Sequence, residues 1–153
     1  MDRRSRRPPQ FGKTTARQAV DLLRRNHIGR IAYSFRDRVD IRPVHYTWRR
    51  GWLFGRTSEG SKVDTIRHSR WVALEVDEIS APFDWVSVVV RGTFYLLSPE
   101  GSVHDRRLYR RAFRAIQDFM PAALTEDDPV PSRHLLFGIS IDEVSGRTSS
   151  TAG

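Results

Sequence analysis

Beyond Gly29 the apolar residues of this chain recur at every second position, and they keep that period through one short segment after another. GRIAYSF (29–35) and VDIRPVHYTW (39–48) flank the charged turn Arg36-Asp37-Arg38, and WLFGRT (52–57) follows the turn Arg49-Arg50-Gly51, which predicts an antiparallel meander of three strands. WVALEVDEI (71–79) and WVSVVVRGTFYLL (85–97) are rich in β-branched and aromatic residues, and HLLFGISIDEV (134–144) closes the series. Gly92 sits in the longest of these segments, where a bulge or bend lets a strand curl. Strands in this arrangement do not form a βαβ series, so a doubly wound sheet is excluded. The expectation is a mainly β protein with flanking helices, its six antiparallel strands closing into a small barrel.

The helices are few. Thr14 and Thr15 are N-cap residues for a run in which Ala16, Val20, Leu22 and Leu23 recur near helical spacing, ending between Asn26 and Gly29. SKVDTIRHS (61–69) spaces Val63 and Ile66 for a short helix between the third and fourth strands. Residues 106–119 place Leu108, Ala112, Ala115, Ile116 and Phe119 on one apolar face, and Pro121 stops the helix. Residues 125–132 are acidic and proline-containing, hence a loop.

A chain of 153 residues without cysteine is one domain that needs no disulfide, and it has no thiol nucleophile, iron–sulfur cluster or CxxC centre. No apolar run approaches the ~20 residues of a membrane span, and no apolar h-region follows the N-terminal arginines, so the expected location is the cytoplasm. The basic residues exceed the acidic by 26 to 18, and all but Lys13 and Lys62 are arginine. Half of that +8 excess lies in residues 1–13, where Arg3, Arg4, Arg6, Arg7 and Lys13 face only Asp2. Residues 1–13 are therefore expected as a disordered basic tail, 14–147 as the domain and 148–153 as a flexible tail. The domain itself is mildly basic, and nucleic acid is not the expected partner.

The segment most suggestive of chemistry is GRTSEGSK (55–62), between a strand and the short helix. Its glycines free the backbone, its hydroxyls and Arg56 and Lys62 supply donors and charge, and a helix start supplies N–H groups, which together suit a phosphate. It approaches the triphosphate loop GxxxxGK[ST] but reverses its end, since Ser61 precedes Lys62, and its flanking strands are antiparallel. His45 points away from the face of Val44 and is expected to contact a substrate. His68 is expected to cap its helix, while His27, His104 and His134 read as surface residues, and no metal-ligand spacing occurs. Asp77-Glu78 and Glu126-Asp127-Asp128 read as alternating or solvated acids. Trp71 is expected in packing, and Trp85 at the mouth of the longest strand against a ligand. An aromatic, basic sheet also leaves base stacking open as a reading of a different class.

Taken in order, IGRIA, an Arg-Pro-Val strand, an aromatic strand ending in Arg-Thr, Gly-Ser-Lys, a helix and W-x-S-V-V-V-x-G resemble the FMN-binding split-barrel family typified by pyridoxamine 5′-phosphate oxidase, closest to its nitroimidazole-resistance-like branch. The resemblance runs from about Leu22 to Leu97, with weaker agreement in ISIDEVSGR. It implies a homodimer with FMN in the groove between two barrels. The family's phosphate-binding positions fall on Arg56, Ser61 and Lys62, with Arg42 close by. Its isoalloxazine-lining backbone falls on Pro43, Val44, Gly55 and Thr57, and Trp85 and Ser87 come from the strand that faces the partner's flavin. The C-terminal Trp- and Arg-containing signature that closes the pyridoxal phosphate pocket is absent, the last strand ending in Gly146-Arg147, so vitamin B6 oxidation is not expected. What is implied is an FMN-dependent oxidoreductase passing electrons from a reduced nicotinamide to a small acceptor. The alternatives are a deazaflavin or heme in the same fold, or a non-catalytic flavin or nucleic-acid binding module.

Overall fold

The computed structural model describes residues 7–60, 63 and 70–151. In chain order its elements are β1 (Gln10–Lys13), α1 (Ala16–Arg25), β2 (Ile28–Phe35), β3 (Arg38–His45), β4 (Thr47–Arg49), β5 (Trp52–Thr57), β6 (Trp71–Ala81), β7 (Asp84–Leu96), α2 (Val103–Phe119) and β8 (Leu135–Ser150). Every strand pairing is antiparallel, in the order β3-β2-β6-β7-β8-β5-β4, with β1 added to β8. The outermost strands of that path, β3 and β4, are separated in the chain by Tyr46 alone. The sheet must therefore curl until its two ends meet, which makes it a barrel. Tyr46 is buried at this seam, where its N–H donates to the His27 carbonyl at 2.9 Å and its hydroxyl to the Leu23 carbonyl at 2.8 Å.

The class expected from the sequence is the class observed, but there are eight strands rather than six. VDIRPVHYTW breaks at Tyr46 into β3 and β4, because the chain turns there from one end of the sheet to the other. β1 pairs Gln10↔Ser150 through Lys13↔Arg147. This corrects both expected tails, since residues 10–13 and 148–150 belong to the sheet. All four residues of β1 are exposed, so backbone pairing holds this strand and no apolar period announces it. The short helix expected over 61–69 lies outside the described residues, apart from Val63, which is buried.

β7 shows how the two faces divide. Val88, Val90, Gly92 and Phe94 are buried inside the barrel, while Trp85, Ser87, Val89, Arg91 and Thr93 alternate with them on the outside. The β7–β8 register shifts at Arg91/Gly92, opposite an extra Asp142. A Cβ on Gly92 would lie 2.0 Å from the Ser140 carbonyl oxygen, so only glycine admits this close approach. α1 starts in a capping box formed by Thr15 and Gln18 and sends Ala19, Leu22 and Leu23 into the barrel core. α2 starts earlier than its apolar face announces, with Ser102 and Asp105 as its capping box. Its Leu108, Ala112, Ala115 and Ile116 bury a second cluster against Phe54 and Leu136. Among the described residues no helix is long and apolar enough to cross a membrane.

Candidate functional site

Past the seam the two strand ends diverge. β4 pairs with β5 only as far as Thr47↔Phe54, so Gly55, Arg56 and Thr57 have β8 on one edge and no strand on the other among the described residues. The end of β3 is likewise paired only with β2, through Ile31↔Arg42, Arg30↔Pro43, Gly29↔Val44 and Ile28↔His45. Two unpaired backbone edges thus face each other across a groove of about 540 Å³. Its first wall is Ile28, Arg42, Pro43, Val44 and His45, its second is residues 56–60, and Arg133 closes one side. Six of the residues expected at a cofactor or substrate site from the sequence, Arg42, Pro43, Val44, His45, Arg56 and Thr57, meet here.

Gly55 lies behind this surface. Its Cα faces the interior, where a Cβ would stand 2.3 Å from Phe137 Cζ and 2.7 Å from the His45 carbonyl oxygen. The missing side chain is what lets β5 approach the end of β3, and it leaves a small void lined by Tyr46, Phe54, Ile116, Phe119 and Met120. Phe119 stacks on His27 at 3.9 Å and 17°, and His27 is held by the Tyr46 carbonyl, so this histidine is packed in place rather than a free surface group.

Arg56 is engaged differently from what its position in the sequence suggests. Both guanidinium Nη atoms pair with the carboxylate of Asp128, and Nη2 also lies 3.2 Å from Met120 Sδ. The pair is almost wholly buried, at 5% and 3% side-chain exposure. Asp128 further accepts from the N–H groups of Leu124 at 2.8 Å and Val130 at 2.9 Å. Arg56 first, and then these N–H groups, hold its carboxyl well below the usual carboxylate range. Asp128 is therefore a buried anchor and not the solvated acid its acidic, proline-containing context implied. Arg56 shapes the second wall with its charge largely compensated.

Among the described residues the exposed cations at the groove are Arg42, half exposed and 3.5 Å from Asp40, and Arg133. Arg133 Nη1 is 3.5 Å from His45 Nδ1. Burial, then the charges of Arg133 and Arg56 and the nearby His27, push the His45 pKa down, so its imidazole is neutral at neutral pH. No sequence signal marked Arg133, because it arrives from the loop before β8 by topology alone.

Ser61 and Lys62 lie outside the described residues. Trp85 and Ser87 do not line the groove of their own chain. They alternate onto the outer face of β7, where Trp85 borders an open cavity with Ile79, Asp84 and Ser149, and Ser87 donates to Glu75 at 2.7 Å. Glu75 lies beside Asp77, and Arg30 bridges both at 3.2 Å. Burial, reinforced by Asp77, raises the Glu75 pKa. Trp71, expected in packing, is 52% exposed on the same outer face.

The model of the family described as pyridoxamine 5′-phosphate oxidase matches residues 15–148. An uncharacterized protein of Rhizobium meliloti (strain 1021) is 27% identical over 130 residues, covering 80% of this chain and 84% of its own length. A crystal structure of an FAD-binding protein from Mesorhizobium loti has a TM-score of 0.72 at 24% identity, over 92% of this chain and 98% of that one. A candidate 5-nitroimidazole antibiotic resistance protein from Bacteroides thetaiotaomicron has a TM-score of 0.67 at 11% identity, over 94% and 90%. The likeness to both solved structures is one of fold.

Proposed function

The chain belongs to the pyridoxamine 5′-phosphate oxidase family, and from that premise we propose that it is a cytoplasmic flavoprotein that binds FMN in the groove between the ends of β3 and β5. The observation that carries this reading is the meeting of Arg42, Pro43, Val44, His45, Arg56 and Thr57 around two unpaired backbone edges. Peptide N–H and C=O groups along such edges match the polar rim of an isoalloxazine, and the groove's volume falls in the range of small-molecule sites. Arg42 and Arg133, with Lys62 carried over from the family resemblance, supply the positive charge a phosphate requires, and Ser61, carried over likewise, supplies a hydroxyl donor. The relative from Mesorhizobium loti is described as FAD-binding, which supports a flavin as the class of cofactor.

A bound flavin supplies electron transfer, and the protein's part is to hold it, exclude water from the ring and leave a cleft for a small acceptor. The reaction proposed is electron transfer from a reduced nicotinamide to that acceptor, with neutral His45 as the side chain that contacts substrate. Among the described residues no side chains of the groove form an acid–base pair. Trp85 and Ser87 join this site through a homodimer, in which the outer face of β6 and β7 meets a two-fold-related copy and reaches its groove. Exposed Trp71 and Ile79 on β6 support such a face.

The test is direct. Protein purified without added cofactor carries a flavin absorbance band, and mass spectrometry of the released compound reads FMN, with reduced nicotinamide bleaching the band. Sedimentation of the same sample gives a dimer, and Val89→Glu gives monomers that have lost flavin. A colourless protein that takes up no FMN on titration sinks the reading, FAD alone in the extract replaces FMN, and a monomer holding FMN stoichiometrically removes the shared site.

A further inference from the structure

The outer face of α2 carries five arginines, Arg106, Arg107, Arg110, Arg111 and Arg114, against Asp105 and Asp118 in the whole helix. At about 100° per residue they fall within an arc of about 140°, opposite the buried Leu108, Ala112, Ala115 and Ile116. None makes an ion pair among the described residues, where Asp105 serves the cap and Asp118 is taken by Arg49. Among the described residues only Arg111 has a side-chain partner, the ring of Phe54 at 5.8 Å. The arrangement opposes itself twice. Arg106–Arg110, Arg110–Arg114 and Arg107–Arg111 are like charges at i, i+4, each costing ~0.2–0.5 kcal/mol, and Arg106 and Arg107 stand near the positive end of the helix dipole. Among the described residues no carboxylate offsets this, which leaves the face open to a negatively charged partner.

We propose that this face docks on the phosphodiester backbone of duplex nucleic acid, without reading sequence. Guanidinium forks match phosphate oxygens, and Arg106 to Arg114 extends ~12 Å, over which a duplex presents about seven phosphates. The helix has no asparagine, and its single amide, Gln117, donates to the Ala123 carbonyl at 3.1 Å, so no side-chain amide is available for an adenine edge and the arginines are assigned to phosphates. Tyr109 and Phe113 pack on the second core cluster and form no stacking platform for single strands. The apolar face of α2 is spent on that same cluster, which removes what a helix needs to enter a lipid surface. This surface is separate from the groove and does not depend on the cofactor.

Fluorescence anisotropy with a labelled duplex of arbitrary sequence, read from about 50 to about 200 mM salt, tests it. Four to five phosphate contacts give a log–log salt slope of about −4, a loss of over a hundredfold in affinity across that range. Replacing Arg107, Arg110 and Arg114 by glutamine in the full chain flattens the slope by about three units, and replacing the same three by glutamate lowers low-salt affinity by at least about tenfold. Unchanged circular dichroism shows that the helix persists in both variants. Absence of binding at low salt overturns the proposal, as does binding that neither variant weakens, which assigns it to the N-terminal arginines. Equal or tighter capture on phosphatidylserine vesicles overturns the nucleic-acid assignment.

Discussion

The two walls of the groove are built on opposite principles. β5 is buried along most of its length, paired to β8 on one edge and for half its length to β4 on the other, and backed by the α2 cluster. Among the described residues β3 pairs with β2 alone, six of its eight residues are exposed, and Val39 and Ile41 leave 78% and 62% of their surface open. One wall is locked by packing and a buried ion pair, whereas the other is a strand at the end of the sheet with apolar groups facing outward. On the flavin reading a ligand would meet a preformed surface on the β5 side and a yielding one on the β3 side. Stability should be concentrated in the first wall and ligand affinity shared with the second, and substitutions on each can break that division.

The largest effect belongs to Asp128→Ala. It leaves Arg56 charged and buried without its partner, and it strips the acceptor from the Leu124 and Val130 N–H groups. Breaking a buried pair from one side is far more damaging than losing a surface contact, and a fall in melting temperature of roughly 10 °C is expected. Arg42→Ala on the opposite wall should move it by less than about 2 °C, because a half-exposed pair at 3.5 Å contributes little. Equal shifts in thermal unfolding would erase the proposed contrast.

Gly55→Ala comes next. The added methyl meets Phe137 and the His45 carbonyl, one a packed ring and the other backbone, so neither can yield without moving β5 away from β3. Overpacking of this kind costs ~1–3 kcal/mol. Because it opens the angle between the walls, flavin affinity should fall with stability, which chemical denaturation and cofactor titration of the same variant can check. A variant that loses stability but keeps its flavin dissociation constant would show that the approach of the walls does not set the groove.

A smaller and more selective effect is expected from removing the exposed cations. On the flavin reading, Arg42→Ala and Arg133→Ala each delete a charge-assisted phosphate contact worth ~1.5 kcal/mol, about tenfold in the FMN dissociation constant, with melting temperature unchanged. If riboflavin, which lacks the phosphate, loses as much affinity as FMN in these variants, the arginines do not serve the phosphate.

These contrasts also explain what could be read in advance. The period of two located six strands, and the order of Arg42-Pro43-Val44-His45 and Gly55-Arg56-Thr57 along the chain brought both groove walls to notice, because each wall is one local segment. β1 was invisible because an exposed strand held by backbone bonds has no hydrophobic signature. The break at Tyr46 was invisible because alternation continues through it while the chain changes partners. Asp128 and Arg133 come from a loop whose composition says only that it is polar, and whether such a residue is solvated or buried under a guanidinium is settled by contacts 72 or more residues away. Trp85 and Ser87, which the resemblance assigns to the strand facing a partner's flavin, lie on the outer face of β7, turned away from their own groove.

The smallest effect separates the two walls by pH. In the folded chain His45 is held neutral by burial and by the charges of Arg133 and Arg56, with His27 adding to them, so its folded pKa lies below that of the unfolded chain, about 6.5. As pH falls through that value the unfolded state takes up a proton before the folded state does, and stability declines until the folded pKa is reached. Asp128 works in the other sense and elsewhere on the scale: its carboxyl titrates well below an ordinary aspartate, so its contribution is present above about pH 4 and fades only under stronger acid. Between about pH 7 and pH 5 the His45 wall should soften while the Arg56–Asp128 wall holds. His45→Gln should accordingly flatten the melting temperature across that interval and leave the acid limb below about pH 4 in place. If the variant keeps the wild-type slope between those values, the proton is taken up elsewhere, and the yielding wall is not the acid-sensitive one.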